Sequence, residues 1–210
     1  MSSNGKCFDV GNATHDALQR FEKTGEPFAG STDPHSAGNG CIMRLAPVPM
    51  FFHPDREAVL ARSAESSRTT HAAPECLDAS RLFGAILHQA LSGADKDAIL
   101  FGHGADSIAT ENVKAIARGD WRDKTDKEIK GSGYVVRSLE AALWCFLHTD
   151  SFESAVLKAT NLGDDADTTA AVVGQVAGAF YGETGIPARW LARLAMREEI
   201  GALALGLMRT

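Results

Sequence analysis

The chain has 210 residues, of which 44% are hydrophobic and 23% are charged, and its formal net charge is −6 at pH 7. This length and composition are typical of a soluble globular protein that buries a core of its own as one domain. The acidic balance argues against a protein that binds nucleic-acid phosphates, and it favours a cation-binding protein or a small-molecule enzyme.

The sequence also bears on location. No apolar run reaches the ~20 residues that a membrane helix needs, and the opening residues lack the basic start and apolar stretch of a signal peptide. The four cysteines are far apart and form no CxxC pair, which argues against a zinc site or a redox motif. We therefore expect a cytoplasmic protein with reduced thiols and no membrane partner.

Helical spacing of apolar residues is the dominant pattern along the chain. The segments that it predicts as helices are 14–25, 55–71, 73–93, 135–149, 151–163 and 166–182. The side chains predicted to face inward are Ala17, Leu18, Phe21, Val59, Leu60, Ala64, Leu77, Leu82, Ile86, Leu87, Ala90, Leu139, Ala142, Leu143 and Phe146. Because no alternating strand of useful length appears, we expect an all-α fold, with a single compact multi-helix domain over residues 1–210.

Capping residues and stretches rich in glycine, proline or charge predict the helix ends and the loops. Thr14 and Ser151 are the predicted N-caps, although the box at Ser151 is imperfect because Ser154 stands where Glu or Gln is usual. Residues 24–40 hold four glycines and two prolines, and residues 117–133 are charged and end in a Gly-Ser-Gly turn. Both of these stretches are expected to be loops.

The end of the first loop, SAGNGCIMRLAPV (residues 36–48), is rich in glycine. Gly38 and Gly40 would let the backbone approach a ligand closely, and Asn39 tolerates left-handed geometry. The residues after them predict a helix that Pro47 interrupts, and free N–H groups at a helix start bind phosphate well. On this pattern alone, a tight turn before a buried helix is the simpler interpretation, because Gly-Asn-Gly turns are frequent.

Acidic residues crowd the start of the last predicted helix, in NLGDDADTTAAVVG. Asp164, Asp165 and Asp167 exceed what capping needs, although a solvated helix start that is simply over-capped is an equal alternative. The side chains of Asp165 and Asp167 can point to a common centre, and Thr168 adds a neutral oxygen beside them. Such hard oxygen ligands suit magnesium, manganese or calcium, but the spacing does not fit an EF-hand loop.

The chain resembles the ADP-ribosylglycohydrolase family, which includes the dinitrogenase reductase-activating glycohydrolases, through two stretches, GNGCIMRLAPVP and NLGDDADTTAAVVGQVAGAFYG. Further matches are CFDVGNAT, TTHAAPECLDASR, GSGYVVRSLEAALWCF and IPARW, which occur in the family's order and cover nearly the whole chain. The resemblance implies an all-α fold with a two-metal magnesium or manganese centre in a cleft. It also implies cleavage of the N- or O-glycosidic bond that joins ADP-ribose to a side chain.

The resemblance assigns roles to individual residues. It implies that Asp165, Asp167 and Thr168 are metal ligands, and that Asp165 also positions the attacking water as the catalytic residue. The residues that it places along the ADP-ribose cleft are Ser36, Gly38, Asn39, Gly40, Met43 and His71, with Gly131, Gly133 and Tyr134 at the adenosine end. The expected partner is a small molecule that contains ADP-ribose, or an ADP-ribosylated protein.

The sequence departs from the family at one half of the metal centre. The family carries a Thr-Asp-Asp segment near its N terminus, preceded by a glycine-rich helix with an acidic ligand, and TDDT occurs nowhere in this sequence. We therefore expect a domain that is N-terminally truncated relative to the family, with weakened metal binding or one ion at most. Core surface left uncovered would favour a homo-oligomer or another partner.

Two functions remain open at this point. The first is a metal-dependent hydrolase that cleaves the glycosidic bond of ADP-ribosylated side chains or of a related ADP-ribose compound. The second is a non-catalytic member of the family that binds ADP-ribose or serves as a structural subunit.

Overall fold

The computed structural model of the protein describes residues 10–104 and 107–208. Within these ranges the backbone forms α-helices and short 3₁₀ turns, and β-type pairing is limited to two isolated bridges. The helices are α1 (Asn12–Thr24), α2 (Pro47–Phe52), α3 (Arg56–Arg68), α4 (Pro74–Leu91), α5 (Lys96–Phe101), α6 (Glu111–Arg118), α7 (Val135–Leu147), α8 (Phe152–Thr160), α9 (Ala166–Tyr181), α10 (Ala188–Leu191) and α11 (Arg197–Leu207). The prediction of an all-α fold is confirmed.

The core lies around α4 and α7. Helix α3 packs along α4, α8 packs along α9, and α7 contacts α4, α8 and α9. Because α7 is apolar on nearly all sides, almost every one of its side chains is buried. The inward positions predicted on α3, α4 and α7 are buried, except that Leu60 and Leu77 are only half-buried.

Two predicted helix starts differ from the structure. Helix α1 begins at Asn12 with Gly11 as its N-cap, so the prediction of Thr14 as the cap is wrong. The capping box at Ser151 is complete: the Ser151 hydroxyl accepts from the backbone N–H of Ser154 at 3.1 Å, and the Ser154 hydroxyl accepts from the N–H of Ser151 at 3.2 Å. A serine hydroxyl can therefore replace the usual carboxylate, because an oxygen acceptor in reach is all that this N–H needs.

Pro47 starts a helix instead of interrupting one, so the prediction for residues 41–48 is wrong. The chain makes a 3₁₀ turn over Asn39–Cys41, and α2 then begins at Pro47. Proline fits the first helical position because its missing N–H has no intrahelical partner there and its φ is already set. The glycine-rich stretch thus forms a 3₁₀ turn, and the helix that follows it, α2, has only 6 residues.

Helices α5 and α6 lie where no helix was predicted. They have 6 and 8 residues, which is too short for an apolar period to stand out from the surrounding sequence. Each is anchored in the core by two buried aliphatic side chains, Ile99 and Leu100 on α5 and Val113 and Ile116 on α6. Contact with the rest of the core therefore stabilises them where their length does not.

Helix α1 does not bury the face that its spacing predicts. Ala17 is buried, but Leu18 is 53% exposed and Phe21 is 48% exposed, so these two inward assignments are wrong. Helix α11 buries none of its residues and exposes Leu203 and Leu205. The sequence shows that a helix has an apolar side, but it does not show whether a neighbour covers that side.

The cysteines and the membrane prediction can be compared directly with the structure. Cys41, Cys76 and Cys145 are free and buried, whereas Cys7 lies outside the described residues. In the part of the chain that the structure describes, no helix combines the length and apolar character needed to cross a bilayer.

Candidate active site

Three loop segments meet where α7 and α9 begin. The backbone N–H of Asn39 donates to the carbonyl of Gly133 at 3.0 Å, and the N–H of Asp165 donates to the carbonyl of Gly131 at 2.8 Å. The loop that precedes α7 therefore binds the glycine-rich turn on one side and the acidic cluster on the other. These bonds bring together two sequence motifs that lie more than a hundred positions apart.

The side chain of Asn39 joins the two motifs directly. Its amide nitrogen Nδ2 lies 2.6 Å from Oδ2 of Asp165 and 3.1 Å from the hydroxyl of Ser138, and the residue is only 7% exposed. Asp165 is the N-cap of α9, yet its side chain makes no capping hydrogen bond. One carboxylate oxygen of Asp165 is thus committed to Asn39, and the orientation of the carboxylate is fixed by that contact.

A left-handed turn aims Asp165 into this position. Gly163 has φ 74° and Asp164 has φ 54°, so two consecutive residues adopt the left-handed region just before α9. Aspartate tolerates this region better than most residues do, because its short polar side chain can bond locally. Asp164 itself is exposed to solvent.

The remaining predicted metal ligands stand in the first turn of α9. Neither the Asp167 carboxylate nor the Thr168 hydroxyl accepts a hydrogen bond from another described residue. Together with Asp165 they offer hard oxygen donors of the kind that Mg²⁺ and Mn²⁺ prefer. Among the described residues, however, no group of three His, Cys, Asp or Glu side chains could hold a metal ion. The donor set fits part of a magnesium site, and the metal assignment stays a prediction.

His71 lies beneath the glycine-rich turn. A Cβ added at Gly40 would come 2.7 Å from Cε1 of His71, and one at Gly38 would come 3.4 Å from its Nε2. Packing against His71 is therefore one reason for glycine at position 40, and its role in letting the backbone approach a ligand stays a prediction. Asn39 is not in the left-handed region, since its turn is of the 3₁₀ type.

His71 is held neutral in this position. Burial, followed by the charge of Arg44, lowers the pKa of His71 from 6.5 to about 4. The hydroxyl of Thr70 lies 2.8 Å from Nδ1 of His71, and Arg44 donates to the same hydroxyl at 2.6 Å. At neutral pH the residue is thus an uncharged support for the turn.

We expect the His71 contribution to make folding stability depend on pH. Because the pKa is lowered in the folded state, the unfolded chain binds more protons than the folded one between pH 6.5 and about 4. The stabilisation is fully present above pH 6.5 and is lost as the pH falls through that window, at up to ~1.4 kcal/mol per pH unit. Urea unfolding of the wild type and of His71→Gln at pH 7 and pH 5 measures this, and equal losses in both proteins would contradict it.

A cleft of about 590 Å³ with a mixed polar and apolar lining opens beside the three loops. Its lining is Pro34, His35, Ser36, Ala37, Gly38, Glu75, Gly133 and Tyr134. Of the predicted cleft residues, Ser36, Gly38, Gly133 and Tyr134 are in this lining. Asn39, Gly40, His71 and Gly131 are outside it, and Met43 is 42% exposed but does not line it either.

The cleft lies next to the Asn39–Asp165 contact. A Cβ at Gly133, in the cleft lining, would stand 3.7 Å from Oδ2 of Asp165. A larger cavity of about 1000 Å³ lies among α2, α9 and α11, but it is mostly apolar and shares no lining residue with the cleft. We place the candidate active site at the smaller cleft, because the Asn39–Asp165 contact lies beside it and the glycine backbone of Gly38 and Gly133 lines it.

Several residues of the site were not identified in the sequence. Glu75 and Asn112 both contact the Tyr134 side chain, and the Ser138 hydroxyl accepts from Asn39. Gln175 holds the segment that follows the glycine-rich turn against α9, because its Oε1 accepts a hydrogen bond from the backbone N–H of Ala46 at 2.7 Å. Glu75, Ser138 and Gln175 had a usable signal, since each stands inside a stretch that matches the family, whereas Asn112 stands outside all of them.

The sequence profile of the ADP-ribosylglycohydrolase family matches residues 1–210. The chain belongs to the ADP-ribosylglycohydrolase family. The ADP-ribosylarginine hydrolase Tri1 of Serratia proteamaculans (strain 568) is 41% identical over 203 residues, which are 97% of this chain and 55% of Tri1. The ADP-ribosyl-[dinitrogen reductase] glycohydrolase of Rhodospirillum rubrum is 33% identical over 200 residues, which are 91% of this chain and 62% of that protein.

A solved structure supports the same family membership. The structure of an ADP-ribosylglycohydrolase-related protein complex matches with a TM-score of 0.85 and 42% identity, over 95% of this chain and 69% of its own. The chain spans little more than half the length of the curated family members that it matches. That residues 1–210 form one domain by themselves stays a prediction.

Proposed function

We propose that this protein is a hydrolase that cleaves the glycosidic bond between ADP-ribose and a modified side chain, with ADP-ribosyl-arginine as the first substrate to test. The observation that carries the proposal is the contact between Asn39 and Asp165, which holds a carboxylate next to Gly133 in the cleft lining. The names of the two relatives, an ADP-ribosylarginine hydrolase and an ADP-ribosyl-[dinitrogen reductase] glycohydrolase, support this choice of bond.

The residues of the cleft would orient the substrate. The glycine-rich turn and the loop before α7 are joined by backbone hydrogen bonds, so their position is set before a ligand arrives. Asn39 holds Oδ2 of Asp165, which leaves Oδ1 free to accept a proton or to bind a cation. Glycoside cleavage passes through a transition state with oxocarbenium character, and a carboxylate placed beside it can stabilise that charge or position water.

The proposed cofactor is Mg²⁺ or Mn²⁺. Asp165, Asp167 and Thr168 would hold it, with other oxygens completing the roughly six that magnesium takes. When bound, such an ion supplies charge stabilisation and activates water for attack. The cytoplasmic location, the absence of nucleic-acid binding and a homo-oligomeric state all stay predictions.

The second candidate function is ADP-ribose binding without hydrolysis. It is favoured by the finding that no group of three acidic, histidine or cysteine side chains is placed to hold a metal among the described residues. A cleft that binds the nucleotide would persist without a metal centre, because its lining includes none of the three predicted metal ligands.

One experiment separates the two functions. Purified protein is incubated with ADP-ribosyl-arginine in the presence of Mg²⁺, of Mn²⁺ or of a chelator, and free ADP-ribose is measured. The hydrolase proposal predicts release with a metal and its loss with the chelator. No release, combined with a heat of ADP-ribose binding in calorimetry, would replace it with the second function, and neither release nor binding would contradict both.

A further inference from the structure

Tyr134 forms one wall of the candidate cleft, and its position is set at both ends. Its backbone pairs with Gly38 in an isolated bridge, and it is the N-cap residue of α7. At the far end of the side chain, the hydroxyl donates to Oε2 of Glu75 at 2.6 Å. The ring between these two anchors is partly buried and lines the cleft together with Gly133.

Glu75 and Asn112 complete the hydroxyl anchor from two other helices. Glu75 lies in the first turn of α4, and Asn112 lies in the first turn of α6. The Asn112 amide donates to Oε1 of Glu75 at 2.8 Å and to the Tyr134 hydroxyl at 3.2 Å. Each of the three side chains therefore contacts the other two, and both oxygens of Glu75 are engaged inside this group.

A closed group of this kind fixes an aromatic ring without using its faces. A tyrosine side chain offers a flat apolar surface on which a nucleoside can stack, and stacking favours a ring that is already immobile before the ligand arrives. The hydrogen bonds of Glu75 and Asn112 are made to the hydroxyl and not to the ring faces, and Tyr134 lines the cleft. Nothing in helix capping requires three side chains from three segments to converge on one tyrosine hydroxyl.

We propose that Glu75 and Asn112 are positioning residues that hold the Tyr134 ring as a preformed wall for the nucleoside end of the substrate. This inference rests on the proposed function, because it takes ADP-ribose as the ligand of the cleft. Glu75 and Asn112 act through Tyr134 and need not touch the reacting atoms. Their loss should weaken binding while leaving the chemical step unchanged, since the carboxylate of Asp165 is held separately, by Asn39.

The first test is ADP-ribose binding by calorimetry, with the same variants assayed for KM and kcat where hydrolysis is measurable. Glu75→Ala, Asn112→Ala and Tyr134→Phe should each raise the Kd about 3- to 10-fold, the range expected for losing one hydrogen bond of this kind, and should raise KM with little change in kcat. The double variant Glu75→Ala/Tyr134→Phe should bind no more weakly than either single variant, because both remove the same anchor. Glu57→Ala, which removes a first-turn glutamate from α3, is the matched control and should bind like the wild type.

The second test is a spectroscopic titration of the tyrosine. Burial, followed by the hydrogen bond to Glu75, raises the pKa of Tyr134 to about 12, while Asn112 and Arg137 lower it. The chain has two tyrosines, so the signal that remains in Tyr134→Phe reports Tyr181 alone. In Glu75→Ala the tyrosinate absorbance of Tyr134 should rise at lower pH than in the wild type. An unchanged titration would show that the Glu75 bond does not form, which would overturn the inference.

The outcomes separate this inference from the proposed function. If the wild type neither releases nor binds ADP-ribose, the proposed function fails and this inference fails with it, although the titration still reports on the Glu75 bond. If the wild type binds but the Glu75 and Asn112 variants bind equally well, only this inference is overturned. A lower melting temperature in Glu75→Ala with an unchanged Kd would likewise assign the group a purely structural role.

Discussion

Replacing Asp165 with asparagine should lower the rate of ADP-ribose release from ADP-ribosyl-arginine by about 10²–10⁴-fold, the usual loss when a general acid–base group is removed. The substitution keeps the shape of the side chain but removes its charge, so it would no longer bind a cation or position water as a base. It also places two amides where Asn39 Nδ2 now donates to a carboxylate oxygen at 2.6 Å. The measurement is the initial rate with Mg²⁺ at neutral pH.

The neighbouring aspartate provides a matched control. Asp164→Asn removes the same charge one position earlier, at an exposed residue with φ 54° that asparagine also tolerates. We expect its rate to stay close to that of the wild type. Equal losses in both variants would mean that the net charge of the loop matters, and that Asp165 has no special role.

Replacing Gly40 with alanine should destabilise the glycine-rich turn and impair ADP-ribose binding. The added Cβ would stand 2.7 Å from Cε1 and 3.0 Å from Nε2 of His71, a ring that is only 4% exposed and cannot move outward. Overpacking of this kind typically costs about 1–3 kcal/mol in the free energy of unfolding. Urea unfolding and calorimetry with ADP-ribose measure the two effects.

Two comparisons identify His71 as the cause. Gly38→Ala makes the same change two positions earlier, where the new Cβ would stand 3.4 Å from the ring, and it should cost less. In a His71→Ala background the Gly40→Ala substitution should become nearly neutral, because the atoms that it meets are gone. If Gly40→Ala costs the same in both backgrounds, the clash with His71 is not the reason for this glycine.

The sequence predicts the long helices because their apolar periods leave one interpretation. The sequence predicts α4 and α7, since apolar residues recur at helical spacing over several turns of each helix. Sequence-based prediction fails where packing against a neighbouring element decides whether a side chain is buried or a short helix forms. Leu18 and Phe21 have the right spacing to be buried but are exposed, and α5 and α6 are held by packing that no local pattern reveals.

In the candidate site, too, the sequence shows the local motifs but not the tertiary contacts between them. The aspartates before α9 and the glycine-rich turn are visible as motifs, but their meeting depends on a hydrogen bond between residues 126 positions apart. Spacing alone cannot predict such a contact, and only the resemblance to a family put the two motifs together. The resemblance points to Tyr134, but no pattern in the sequence joins it to Glu75 or Asn112, because these three residues meet only when the fold brings their segments to one point.

The central claim is that a divalent cation and ADP-ribose bind side by side, the cation at Asp165, Asp167 and Thr168 and the nucleotide in the adjoining cleft. The most direct measurement is a crystal structure of the protein grown with Mn²⁺ and ADP-ribose, with the manganese located by its anomalous scattering. The account predicts a manganese peak in bonding contact with the carboxylates of Asp165 and Asp167, and nucleotide density between Gly38 and Tyr134. Manganese bound elsewhere, or a nucleotide outside this cleft, would contradict it.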